Sequence, residues 1–217
     1  MGSFEQVSLL MGDLAKIARR LNYPESSICV LTGDLEQVKT MFPQTYSNLM
    51  SCGHHADKRG PLVYGKDLVA SWIMEDYLME NLKEAGVEIQ GAGADKKREI
   101  LSNARVSTAS DCLVSYGGKE RPLELMSDYT GYWAKYKKME LRDAKFKKMQ
   151  DSKSLFLGVS TADKKYLLLD MSQEFEYIFI PSYFLYGGKP AYSIKFPKEK
   201  LKDFDFKAIA EEIKSLI

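Results

Sequence analysis

Asp111 and Glu124 stand thirteen positions apart, and the residues between them read as a hairpin. Asp111 to Tyr116 is rich in strand formers, Gly117-Gly118 is a turn signal, and Pro122 to Met126 is apolar around one acid. Side chains alternate along a strand, so Glu124 shares a face with Met126 while Leu123 and Leu125 point the other way into a core. A carboxylate in the middle of an apolar strand is costly to bury unless something answers its charge. Asp111 lies across the hairpin from it. Two carboxylates converging from neighbouring strands make a hard-oxygen site suited to Mg²⁺, whose remaining coordination is left to water and phosphate. The competing reading is that both acids are solvated or salt-bridged.

The elements that must position this pair come from the rest of the chain. With 217 residues, 45% hydrophobic and 28% charged, it has the composition of an ordinary globular protein with a substantial core. There is no apolar run of membrane-spanning length and no signal-peptide pattern. Three widely spaced cysteines, Cys29, Cys52 and Cys112, argue against a disulfide framework and for a reducing, cytoplasmic setting. Helical spacing predicts amphipathic helices over 3–21, 34–41, 64–85, 95–104 and 206–216. Strands are expected at 87–89, 111–116, 122–126, 155–159, 166–169 and 177–180, with a second hairpin turning at Gly187-Gly188. A loop and then a helix are expected over 128–146. Helices followed by a strand block with interposed helices predict one α/β domain over 1–217 with a central mixed β-sheet flanked by helices. Within it, 1–62 supplies N-terminal helices and a contacting loop, 63–150 the catalytic core, and 151–217 C-terminal strands and a helix.

The net charge of +1 conceals an uneven distribution. Between Gly131 and Gln150 there are seven basic residues against two acids, interleaved with Tyr132, Trp133, Tyr136 and Phe146. Such a run is either a solvated helix face or a surface that tracks a phosphate backbone. The polar stretch from Tyr46 to Pro61 holds Met50, His54, His55, Lys58 and Arg59 and reads as a loop. Cys52, His54 and His55 lack the second ligand pair that structural zinc needs. An apolar Met50 flanked by cations could instead enter a nucleic-acid groove, because apolar wedges do insert between base steps; the alternative is an ordinary loop with a buried anchor. Other candidates for contact with DNA are Lys135, Lys137, Lys138 and, on the second hairpin, Lys189.

Taken together, Asp95-Lys96-Lys97-Arg98-Glu99-Ile100-Leu101, Ser110-Asp111, Pro122-Leu123-Glu124-Leu125-Met126-Ser127-Asp128 and Leu141-Arg142-Asp143-Ala144-Lys145-Phe146 resemble the type II restriction endonucleases of the PD-(D/E)xK nuclease superfamily. The resemblance spans roughly residues 55 to 150. It implies that Asp111 and Glu124 are the first and second acids and hold Mg²⁺, and that Glu99 matches an acid some members supply from the preceding helix. Two departures stand out. Ser110 occupies the place of the motif's proline, which is not a ligand. Met126 occupies the place of its lysine, and a thioether neither donates a proton nor orients water strongly. A cation from elsewhere is required, and Lys145 is the first candidate, with Lys119 next.

The resemblance further implies hydrolysis of double-stranded DNA at a short palindromic site, leaving 5′-phosphate and 3′-hydroxyl ends. A palindrome is matched by a homodimer, one subunit cutting each strand. A cognate DNA methyltransferase is the expected companion in the cell. Two other readings stay open: a DNA-binding protein that kept the fold and lost catalysis, and a structure-specific repair nuclease.

Overall fold

In the computed structural model, the described residues are 13–51, 60–92, 98–100 and 110–217. By their contacts they form two compact units, one of residues 1–77 and 94–107, the other of 78–93 and 108–217.

The first unit is helical. Residues 13–20 form α1, followed by α2 (Glu25–Thr32), α3 (Leu35–Met41), α4 (Pro43–Ser51) and the first part of α5 (Pro61–Glu84). Proline opens three of these helices: Pro24 is the N-cap of α2, and Pro43 and Pro61 are the first residues of α4 and α5. Its fixed φ suits that position, where the missing N–H would have had no helical partner. Asp34 caps α3 by accepting from the Gln37 amide at 2.8 Å. The helix expected over 95–104 is not present in its described part. Residues 98–100 are irregular, with Arg98 at φ 52°. Tertiary partners hold them in that shape. The Arg98 guanidinium grips Asp76 at 2.5 and 3.0 Å and Glu75 at 2.9 Å, and its carbonyl accepts from Ser27 Oγ at 3.2 Å. Tyr23 donates to the same Asp76.

The second unit is α/β and carries the central mixed sheet flanked by helices that the element order implied. After the end of α5 come β1 (Glu88–Gly91), β2 (Cys112–Tyr116), β3 (Lys119–Asp128), α6 (Tyr132–Tyr136), β4 (Lys138–Arg142) and α7 (Asp143–Asp151). They are followed by β5 (Leu155–Ser160), β6 (Lys165–Asp170), β7 (Tyr177–Tyr183), β8 (Lys189–Lys195), β9 (Leu201–Asp203) and α8 (Phe206–Leu216). Six strands form one sheet in the order β1-β2-β3-β5-β6-β9, antiparallel throughout except for the parallel β3/β5 pair. A parallel pair needs a long crossover, and here α6, β4 and α7 are that connection. β4, β8 and β7 make a second, antiparallel sheet.

The segment 128–146, expected as a loop and then a helix, instead holds α6, β4 and the start of α7. Gly131 and Lys137 both adopt left-handed backbone, bounding α6 at five residues. Met139 and Leu141 then alternate as strand residues and are buried to within 1%. α7 covers one face of the large sheet: Phe146 and Met149 join Trp133, Phe156, Leu167 and Leu169 in one buried cluster. α8 covers the other face, where Tyr166, which alternates with Leu167, donates to Glu212 at 2.8 Å. No helix among the described residues is long and apolar enough to cross a membrane.

Candidate metal centre

The pairing register fixes the acids. Cys112 lies opposite Leu123 in the β2/β3 hairpin, so Asp111, one residue before the strand, comes opposite Glu124. Leu123 and Leu125 are buried on one face as their alternation required. The face holding Glu124 and Met126 is covered as well, because the α7 crossover packs over it. Glu124 is only 2% exposed. A carboxylate so placed must be answered by charge or hydrogen bonds.

It is answered from α7. Lys145 Nζ lies 2.9 Å from Glu124 Oε2 and 4.0 Å from Asp111 Oδ2, bridging the two acids. Lys148, one turn further along the same helix face, reaches Glu124 Oε1 at 3.4 Å. Asp111 Oδ2 also accepts from the Leu125 amide at 2.8 Å, which ties the first acid to the strand bearing the second. Burial pushes the Asp111 carboxyl up to about 6; the Lys145 cation opposes this, and the Glu124 charge adds to it. The geometry is a compact cluster of two carboxylates and two ammonium groups, with the lysine side chains 38% and 31% exposed and so open to solvent at one side.

The place of the motif lysine is filled by an apolar side chain. Met126 packs against the cluster of Trp133 and Phe156. Its partner on β5 is Gly158, where a Cβ would sit 2.5 Å from the Trp133 ring. The indole occupies that notch. A charged group at 126 would face this packed ring system, so the cation comes from the helix instead. Lys119, the second candidate for that cation, is exposed beside the hairpin turn, five residues before Glu124 along β3, and does not fill the role. Lys148 went unnoticed as a partner of Glu124 in the sequence. Its signal was there: it follows Lys145 by three positions, and Phe146 and Met149 mark the adjacent buried stripe.

Two carboxylates facing each other fit a hard divalent cation that keeps water and phosphate ligands. Among the described residues no group of three or more His, Cys, Asp or Glu side chains forms a fuller cage.

The other expected site residues are dispersed. Glu99 is exposed in the first unit, on irregular backbone. Met50 lies on α4 rather than in a loop and is 41% exposed. His54, His55, Lys58 and Arg59 lie outside the described residues, as does Cys52. Lys135 and Lys189 are exposed. Lys137 and Lys138 are engaged within the protein: Lys137 Nζ donates to the Ala134 carbonyl, and Lys138 pairs with the buried Glu140 at 3.1 Å. Glu140 also accepts from Tyr132 at 2.8 Å and Ser193 at 3.2 Å, so the Lys138 ammonium balances an internal network. Cys29 and Cys112 are buried.

No protein-family model matches the chain, and no curated protein matches it. Among solved structures it is similar to a Holliday junction resolvase from the archaeal hyperthermophile Archaeoglobus fulgidus, at 10% identity over 62% of this chain and 98% of that one, with a TM-score of 0.36. A likeness this loose assigns neither a substrate nor a site.

Proposed function

We propose that the chain is a Mg²⁺-dependent endonuclease acting on double-stranded DNA, of the type II restriction class, with Asp111, Glu124 and Lys145 as its catalytic residues. The observation that carries this reading is the placement of Lys145 across both carboxylates, 2.9 Å from Glu124 and 4.0 Å from Asp111. It supplies from a helix the cation that Met126 removes from the strand.

Asp111 and Glu124 would hold Mg²⁺, which when bound supplies a Lewis acid toward a phosphate oxygen and a more acidic water. The remaining work falls to the chain itself. Asp111 is held in place by the Leu125 amide and Glu124 by the lysines, so neither acid needs to reorganise during reaction. Lys145, about two-fifths exposed, lies at the open side, where its ammonium orients an attacking water and offsets negative charge growing on the phosphate. Lys148 holds the other Glu124 oxygen at 3.4 Å, so the acid keeps a partner beside Lys145. The products are 5′-phosphate and 3′-hydroxyl ends. A homodimer would cut both strands of a palindrome, with a methyltransferase protecting host DNA.

The test is digestion of phage-length DNA with Mg²⁺ beside an EDTA control, using wild type, Asp111→Ala and Lys145→Ala. Discrete bands that need Mg²⁺, and at least about a hundredfold less cleavage in both variants with DNA binding retained, are expected. A Mg²⁺-dependent smear would point to a structure-specific or nonspecific nuclease. Intact DNA with tight binding would mean a binding protein that lost catalysis at Met126. An active Asp111→Ala protein would remove the pair from the chemistry.

A further inference from the structure

The most exposed large apolar side chain among the described residues is Phe184, 79% exposed, and its neighbour Leu185 is 58% exposed. They sit on a single 3₁₀ turn, Phe184–Tyr186, at the tip of the β7/β8 hairpin. This tip is built rather than loose. Gly187 and Gly188 take left-handed φ values of 65° and 81°, and their amides donate to the Phe184 and Tyr183 carbonyls at 3.1 and 3.0 Å. The Tyr183 ring packs on both Phe184 and Tyr186, and the Tyr186 hydroxyl donates to the Glu140 carbonyl at 2.6 Å. Two apolar side chains are thus held out in water by a built support, and Tyr177, Ile178 and Phe179 on β7 of the same hairpin are exposed as well, the kind of apolar patch that marks a contact surface.

The surroundings say what the use is. From Tyr177 to Lys195 there is no Asp or Glu. Lys189 is exposed on the hairpin and pairs with Tyr183, and the Arg142 guanidinium lies 5.1 Å from the centre of the Tyr186 ring. Arg142 ends β4 and leads directly into α7. Three residues later Lys145 reaches Glu124, so the tip and the carboxylate pair are linked to the same end of α7, roughly one turn apart along the chain.

We infer that the β7/β8 hairpin tip is a DNA contact, with Phe184 and Leu185 pressed against base edges in a groove of the duplex and Lys189 and Arg142 on the flanking phosphates. Apolar side chains read thymine methyl groups and groove walls, while cations on either side fix the register. An acid-free hairpin flanked by Lys189 and Arg142 complements a polyanion; a second copy of this chain would bring more of the same cations. This inference rests on the nuclease reading, since it takes the substrate at Lys145 to be the duplex that also meets the tip.

The experiment titrates a fluorescein-labelled 30-base-pair duplex pool of randomised sequence, with Ca²⁺ in place of Mg²⁺, across a series of salt concentrations. Wild type is compared with the Phe184→Ala/Leu185→Ala double variant and with Lys189→Gln. Loss of the apolar pair is expected to weaken binding at least about tenfold at every salt concentration, leaving the slope of log affinity against log salt unchanged. Lys189→Gln is expected to flatten that slope by about one. Unchanged binding by the double variant, with its circular dichroism matching wild type, would overturn the inference. So would a dimer in wild type that becomes a monomer in the variant by sedimentation, because the tip would then be a surface between copies. Wild type that fails to bind the duplex at all would instead overturn the nuclease reading.

Discussion

Removing both lysines of α7 should expose the cost of burying Glu124. The acid is 2% exposed and accepts from Lys145 at 2.9 Å and Lys148 at 3.4 Å, one cation on each oxygen. Stripping a buried charge of its partners costs about 3–5 kcal/mol. Each lysine is roughly a third exposed and therefore partly screened. Lys145→Met or Lys148→Met alone should cost about 1 kcal/mol, since the other cation remains. The double variant should cost about 3 kcal/mol, more than the two singles together. Methionine keeps the alkyl stem, so packing is nearly conserved. Urea titrations of the four proteins, repeated on a Glu124→Gln background where every loss should shrink below about 0.5 kcal/mol, make the measurement. Additive losses that persist in Glu124→Gln would show that these lysines stabilise the fold by something other than this charge.

Asp111 offers a second pH test. Its folded value of about 6 lies above the ordinary 3.8, so its contribution to stability is full below about pH 4 and fades as pH rises through 6. In EDTA, Asp111→Asn should match wild type near pH 4 and exceed it by roughly 1–3 kcal/mol at pH 8; thermal melts with a constant difference across that range would contradict the buried placement. Gly158→Ala would drive a methyl to 2.5 Å from the Trp133 ring, and a loss of about 1–3 kcal/mol with a shifted tryptophan emission is expected. Unaltered emission and stability would mean that the indole is not wedged there.

The hairpin was legible in the sequence because its register is local: Gly117-Gly118 turns the chain, and counting back from the turn puts Asp111 opposite Glu124. Lys145 followed from the resemblance, which expects a lysine where Met126 stands and so sends the search for a cation to the next helix. Lys148 and β4 were missed for one reason. Met139 and Leu141 mark a strand only when their partner β8, some fifty residues away, is known, and without β4 the start of α7 and its lysine face could not be placed. α2 and α4 lay outside the expected helices because a proline can either end a helix or start one, and Pro24 and Pro43 start them here. α4 also has too few apolar residues to show a period. The covered Glu124 face was hidden for a similar reason: alternation predicts one buried face, but a crossover can cover the other.

The parallel pairing of β3 with β5 sets an order of assembly. The hairpin closes over a few residues and can form early, whereas joining Leu123 to Leu155 must wait for the whole intervening segment to close, the slow kind of step. Until that crossover docks, the two acids are present and both of their cations are absent. A chain in which that crossover has not docked therefore carries an incomplete cluster, its acids without the cations that answer them.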